Sequence, residues 1–366
     1  MVVLEFKKSL RSYFKEIDSP LFITAVLVLA ASLLNMYGIT RGDSLFQKQI
    51  ILIIAGILVM VFLSLFNCRY LKNYSMPALT LYIFAIVLLG LTFYSKSVRG
   101  TNSWIIFGNL TFEPAELAKL SLIILLAKYF SQKHIHIYRF SHILASGLYF
   151  IIPAFLIINQ PDFGSAIILS LIWGSFIIAA GINKKHIIIL FLIALIVVAG
   201  SWSLVLKPYQ KIRILSFLDQ GEDPLGSGYN LIQSKIAIGS GSWFGNGLGR
   251  GSQVNLGFLP EPHNDFIFAA FIEQFGFIGG IILLGLLFFL IYRIVLIGLS
   301  TTANFGKLFS IGLSVFIFSH IFVSIGVNVG LLPVTGLPFS FLSSGGSNLI
   351  SIMAGLGILQ SIKRYG

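Results

Sequence analysis

The chain has 366 residues, 56% of them hydrophobic and only 10% charged, with a mean hydropathy of +0.92. A soluble domain carries roughly 25% charged residues because its surface must be solvated, so a water-soluble enzyme is excluded. The 25 Lys and Arg outnumber the 13 Asp and Glu but sit in small groups between apolar runs, which disfavours a nucleic-acid partner. The single cysteine, Cys68, excludes an intrachain disulfide and leaves no Cys/His cluster for zinc.

A helix needs roughly 20 apolar residues to cross a hydrocarbon core about 30 Å thick. Ten stretches meet that requirement, at 20–37, 48–66, 76–94, 113–130, 143–159, 164–181, 186–206, 266–297, 308–330 and 341–361. The fold class is therefore all-α integral membrane, one polytopic domain over residues 1–366, with a long outer segment at 207–263 between spans seven and eight. A basic tail before the first span has the form of a signal peptide, but nine further spans favour an uncleaved anchor. With a cytoplasmic N-terminus, fifteen of the 25 basic residues fall in cytoplasmic segments, which favours an N-in, C-in topology. Ten of the 13 acids then lie in outer segments or within spans, so chemistry is expected at the outer face.

In chain order, the first segment with more than a span needs is Val98–Trp104, which offers Arg99 as a cation and an interfacial indole. After Glu113-Pro114, Glu116 and Lys119 share one helix face at i, i+3 spacing inside a span. Intramembrane charges are costly and mark either a polar cavity or a buried structural pair. Asp162, in the tight turn Asn159–Gly164, reads as a helix cap more readily than as a catalyst. The long outer segment contains Arg213, an interfacial stretch with Gln233 and Lys235, and glycines at 239, 241, 245, 247, 249 and 251. Such a loop could turn backbone N–H groups to a phosphate, or simply be a connector. Leu259-Pro-Glu-Pro-His-Asn-Asp265 then runs into span eight, with Asp265 either its N-cap or a general base beside Glu261 and His263. The Pro- and Gly-broken stretch 330–346, ending in Gly345 and Gly346, must be covered by protein or line a cavity.

Taken together, these segments resemble the SEDS family of polytopic cell-wall proteins along nearly the whole chain. The most specific stretches are Asp223–Tyr229, Ile232–Gly241, Leu259–Ala269, Gln160–Gly164 and Leu332–Pro338, and Lys235 tilts the resemblance to the rod-shape branch. The resemblance implies a peptidoglycan glycosyltransferase that polymerises lipid II, multi-pass in the cytoplasmic membrane with its site facing the exterior. It implies a class B penicillin-binding protein and the elongation machinery as partners. It also implies that Asp265 is the catalytic residue and that Glu116 and Lys119 support the cavity. Where the family usually has Gln-Pro-Ser-Glu, an Arg beside the tryptophan, His-Thr-Asp and Tyr-Gly-Gly-Ser, this chain has Glu113-Pro-Ala-Glu, Ser103, His-Asn264-Asp and Ser344-Gly-Gly-Ser.

Transfer from a lipid pyrophosphate needs a base for the acceptor hydroxyl and stabilisation of the departing charge. Asp265 is the expected base. Arg99, Asp162, Arg213, Gln233, Lys235, Gly241, Glu261, His263, Gly345 and Gly346 are candidate substrate-binding residues, with a divalent cation, Mg or Mn, as the expected assistant and no organic cofactor. Two rival functions stay open at this point, a lipid II flippase and an ion-coupled transporter using Glu116, Lys119 and Asp162 as a relay.

Overall fold

A computed structural model describes residues 16–95, 102–108, 110–132, 140–181 and 227–365, with scattered positions between 185 and 215. Nine of the predicted spans fall on helices: α1 Ser19–Thr40, α2 Ser44–Leu65, α4 Met76–Leu91, α5 Pro114–Gln132, α6 Phe140–Asn159, α7 Phe163–Ala179, α10 Ile267–Ser300, α11 Asn304–Val329 and α12 Gly346–Tyr365. The seventh, 186–206, lies largely outside the described residues. Six of these helices are long and apolar enough to cross a membrane by themselves. Shorter helices are α3 Arg69–Asn73, α8 Ser227–Ser240 and α9 Ser252–Asn255. An antiparallel hairpin, β1 Ile105–Phe107 with β2 Leu110–Phe112, precedes α5 and departs from the all-helical expectation.

The burial pattern shows which helices face lipid. α2 buries only Gln49, Ile53, Gly56, Met60 and Ser64, one stripe at three- and four-residue spacing. Ile51, Ile54, Leu58 and Phe62 on its other face are more than half exposed, as suits a hydrocarbon solvent. The buried stripe packs on α12 through small residues: a Cβ on Gly357 would stand 2.6 Å from the Met60 carbonyl oxygen. α5 is the opposite case. Fifteen of its 19 residues are buried, making it the central helix, in contact with α4, α6, α7, α11 and α12.

One end of the bundle is clasped by Asp18. Its carboxylate accepts the Leu21 N–H at 2.9 Å as the N-cap of α1, Lys363 Nζ of α12 at 2.7 Å, and Arg293 of α10. Its backbone N–H donates to Gln360 Oε1 at 2.7 Å. Asp18, Arg293 and Lys363 therefore share one end of the molecule.

The predicted eighth span is broken. α10 has 34 residues, about 51 Å at 1.5 Å per residue, and Gly276 inside it has φ 70° and ψ −177°. A break strands carbonyls before it and N–H groups after it, at a cost of several kcal/mol each in a dry interior. The glycine-rich loop supplies the partners. Asn246 N–H donates to the Glu273 carbonyl at 2.9 Å and Gly247 N–H to that of Gln274 at 3.1 Å. Beyond the break, Phe277 N–H donates to the Ser242 carbonyl at 2.9 Å and Ile278 N–H to that of Trp243 at 3.1 Å. The loop is thus a splint for α10, and contact this close requires glycine: a Cβ on Gly245, which has φ +80°, would stand 2.1 Å from the Gln274 carbonyl oxygen.

Two outcomes follow. Gly245→Ala and Gly257→Ala both place alanine at positive φ, a strain of about 1–2 kcal/mol, but only position 257 opens onto space. Gly245→Ala is expected to lower the Tm of the detergent-solubilised protein by several degrees more than Gly257→Ala; equal shifts would contradict the splint. At Asp18, burial raises the carboxyl's proton affinity, but bonds from Arg293, Lys363 and the Leu21 N–H outweigh it and hold the pKa below the ordinary value of 3.8. A group with a depressed folded-state pKa gives stability that is complete above the unfolded value and lost as pH falls through the folded one. Acidification through that window is therefore expected to lower the Tm of the wild type more steeply than that of Asp18→Asn.

Candidate functional site

Asp265 stands in the turn that leads into α10. Glu261 enters the left-handed region at φ +46°, and its carbonyl accepts the Asn264 N–H at 3.1 Å and the Phe266 N–H at 3.4 Å. Its carboxylate Oε2 takes Asn264 Nδ2 at 2.9 Å and lies 3.4 Å from His263 Nε2. The N-cap of α10 is Phe266. Asp265 directly precedes it, at the mouth of the helix. Asn328 of α11, fully buried, fixes this junction: its Nδ2 donates to the Asp265 carbonyl at 2.9 Å and its Oδ1 accepts the Ala269 N–H at 2.9 Å.

Glu116 and Lys119 meet in the bundle interior, both side chains at 0% exposure, with Lys119 Nζ 2.7 Å from Glu116 Oε1. Glu116 Oε2 accepts Asn348 Nδ2 of α12 at 2.9 Å. His320 of α11 faces the pair with Nε2 3.3 Å from Lys119 Nζ, and its Nδ1 lies 3.0 Å from the Pro338 carbonyl. A carbonyl only accepts, so Nδ1 carries the proton and Nε2 is left as the acceptor for Lys119. Each ion thus has partners beyond its opposite charge, which a desolvated pair needs. Asp162 borders this network. It caps α7, accepting the Ser165 N–H at 3.0 Å; burial pushes its carboxyl above the usual range, against the pull of Lys119 and of the Ser165 bonds.

The segment 338–348 joins the two regions. Pro338 and Asn348 bond the buried network, and the Ser347 hydroxyl accepts the Glu113 N–H at 2.8 Å. Between them, Ser344 N–H donates to the His263 carbonyl at 3.1 Å, and the Ser344 hydroxyl donates to Asn264 Oδ1. Phe339, fully buried, stacks on Phe268 of α10 with ring centroids 5.9 Å apart. Asn264 and Ser344, two positions where the chain departs from the family motif, are thus bonded to each other.

The structure brings Asp265, Glu261 and His263 to one turn and ties that turn to the segment carrying Gly345 and Gly346. Both glycines have packing reasons: a Cβ would meet Pro338 at 3.0 Å and Leu52 at 2.6 Å, respectively. Gln233 and Lys235 lie on α8, which leans on α10 and on the end of α11, where Ser234 donates to the Asn328 carbonyl at 2.8 Å. The Lys235 side chain lies along Gly330, whose added Cβ would stand 2.5 Å from Lys235 Cε. Gly241 is a correction. A Cβ there would strike the Ile272 carbonyl oxygen at 2.2 Å, and its N–H donates to the Ala237 carbonyl at 3.2 Å. With Gly245, Asn246, Gly247 and Gly249 also committed to internal acceptors, these N–H groups form no phosphate cradle. Arg99 and Arg213 lie outside the described residues. Among the described residues, no group of three or more His, Cys, Asp or Glu is arranged to hold a metal ion, so the expected cation finds no all-protein site there. His320, Asn348, Asn328 and Ser344 were not anticipated. The signal for the first three was a polar side chain within an apolar run.

The FtsW/RodA/SpoVE cell cycle protein family matches residues 13–366. The stage V sporulation protein E of Bacillus subtilis (strain 168) is 36% identical over 95% of this chain and 97% of its own length. The peptidoglycan glycosyltransferase MrdB of Escherichia coli (strain K12) is 33% identical over 95% and 94%. Among solved structures, a chain of a peptidoglycan synthase complex that coordinates polymerization and crosslinking superposes with a TM-score of 0.82 at 29% identity, covering 95% of this chain and 98% of that one. The rod shape determining protein RodA of Thermus thermophilus gives 0.71 at 25%, covering 95% and 97%. The sporulation protein and MrdB lie within a few percent of each other in identity to this chain, so Lys235 does not by itself fix the branch. The chain belongs to the FtsW/RodA/SpoVE family of multi-pass membrane proteins.

Proposed function

We propose that this protein is a peptidoglycan glycosyltransferase that polymerises lipid II at the outer face of the cytoplasmic membrane, with Asp265 as general base. The observation that carries the proposal is that the Asp265 turn is held, through Ser344 and Asn328, to the same elements that enclose the buried Glu116–Lys119 pair. In the reaction, the Asp265 carboxylate takes the proton of the acceptor sugar hydroxyl as that oxygen attacks the anomeric carbon of the donor. The bond from that carbon to the lipid pyrophosphate breaks, and inversion gives a β-1,4 link. Lys235 on α8, with Arg213, is assigned to the leaving charge. A divalent cation would supply further neutralisation of that charge, and no protein residue is assigned to hold it.

The topology that goes with this is ten spans, N-in and C-in, in one domain with 207–263 outside. Positive charge at the end where Asp18, Arg293 and Lys363 meet supports that orientation. Relatives named for peptidoglycan synthesis and rod shape support a role in cell elongation with a class B penicillin-binding protein.

Purified Asp265→Asn is expected to bind lipid II and to melt like the wild type but to make no glycan strands; normal strand synthesis would overturn the assignment. For the ion pair, removing one buried partner typically costs about 3–5 kcal/mol, whereas removing both is far milder. Glu116→Gln and Lys119→Met should each lower the Tm more than the double variant does, in thermal melts of the detergent-solubilised protein.

A further inference from the structure

We infer that His320 is a positioning residue for Asp265, acting through the segment 338–348. The inference rests on the proposed polymerase function of the Asp265 turn. His320 is fully buried and reaches neither Asp265 nor the outer turn directly. Besides a 3.4 Å contact of its Nε2 with Asn348 Nδ2, it bonds two groups whose positions must agree. Its Nε2 accepts from Lys119 Nζ at 3.3 Å, which registers it against the ion pair of α5, and its Nδ1–H donates to the Pro338 carbonyl at 3.0 Å. Residues 330–345 lack regular helical bonding, so each carbonyl in them that finds a fixed donor is an anchor for the chain.

From that anchor the segment runs six residues to Ser344, whose N–H and hydroxyl hold His263 and Asn264 beside Asp265. Four residues further, Asn348 returns to Glu116 at 2.9 Å. The segment is therefore pinned at both ends to one buried charge pair and at its middle to the catalytic turn. Of the two end anchors, His320 is the one that fixes backbone, and α12 carries the other on its own first turn. The Leu342 carbonyl further along accepts the Ser32 hydroxyl of α1 at 3.1 Å, so loss of the Pro338 bond would loosen the stretch that leads up to it while leaving the Glu116–Lys119 and Glu116–Asn348 contacts in place.

The test uses the full-length protein in detergent, with lipid II polymerisation kinetics and backbone hydrogen exchange as paired readouts. His320→Leu removes these bonds, His320→Gln keeps one donor and one acceptor, and Ser344→Ala removes the side-chain half of the link at the far end, leaving the Ser344 N–H on His263 and the ion pair untouched. Misplacing a catalytic group by about 1 Å costs on the order of 100-fold in rate. His320→Leu and Ser344→Ala are therefore expected to lower kcat about 10- to 100-fold, with KM for lipid II unchanged. Exchange should quicken in 259–266 and not in α1, and His320→Gln should recover most of both effects. Wild-type kcat in Ser344→Ala, unchanged exchange of 259–266 in His320→Leu, or a Gln variant as impaired as Leu would each overturn the inference. A wild type that makes no strands would instead contradict the polymerase function, and the exchange readout would still test the coupling.

Discussion

Two charges placed in the middle of a lipid-solvated bundle constrain everything around them. Moving a carboxylate and an ammonium out of water costs several kcal/mol per ion even after relaxation, and their attraction offsets this only if further hydrogen bonds complete the site. Glu116 and Lys119 obtain those bonds from His320 on α11 and Asn348 on α12. Three helices are thereby tied together at their most polar point, and α5, which carries the pair, is buried around almost its whole circumference. The broken segment between α11 and α12 sits between those partners, so its path is set by the charge pair as well as by packing.

A second constraint acts on the neighbouring helix. α10 breaks at Gly276, and the stretch before the break, Ile267–Gln274, is buried throughout. In lipid such a break would strand backbone groups, and the glycine-rich loop supplies partners for two carbonyls before it and two N–H groups after it. The short helical piece that follows Asp265 is therefore held from two sides, by the loop at its far end and by Asn328 at its near end. A carboxylate that removes a proton in a reaction needs that kind of fixed support, since rates depend steeply on placement.

Much of this was legible in the sequence, for reasons that differ from element to element. Runs of apolar residues near the length of the bilayer locate the spans, and the cost of an intramembrane charge singles out Glu116 and Lys119. Asp265 is conspicuous as an acid at the mouth of a span, although residue spacing alone does not tell a cap from a base. The glycines at 241 and 245 misled, because closeness to another backbone and closeness to a phosphate call for the same residue. His320 and Asn348 were passed over because a single polar residue in an apolar run does not reveal its partner. Their meaning depends on contacts across 201 and 232 residues of sequence. The break in α10 was equally hidden, since Gly276 is one of several glycines in a span that reads as continuous.

The central claim is that the acceptor and donor sugars meet at Asp265, over the buried charge pair. Its most direct measurement is a structure of the protein in lipid with a bound, non-reactive lipid II analogue. The expected result is the acceptor hydroxyl within about 2.6–3.2 Å of the Asp265 carboxylate, with the sugar between the Asp265 turn and the segment 338–348. An analogue seated with its sugars at the Asp18 end of the bundle, or out of hydrogen-bond reach of Asp265 behind an ordered turn, would contradict it.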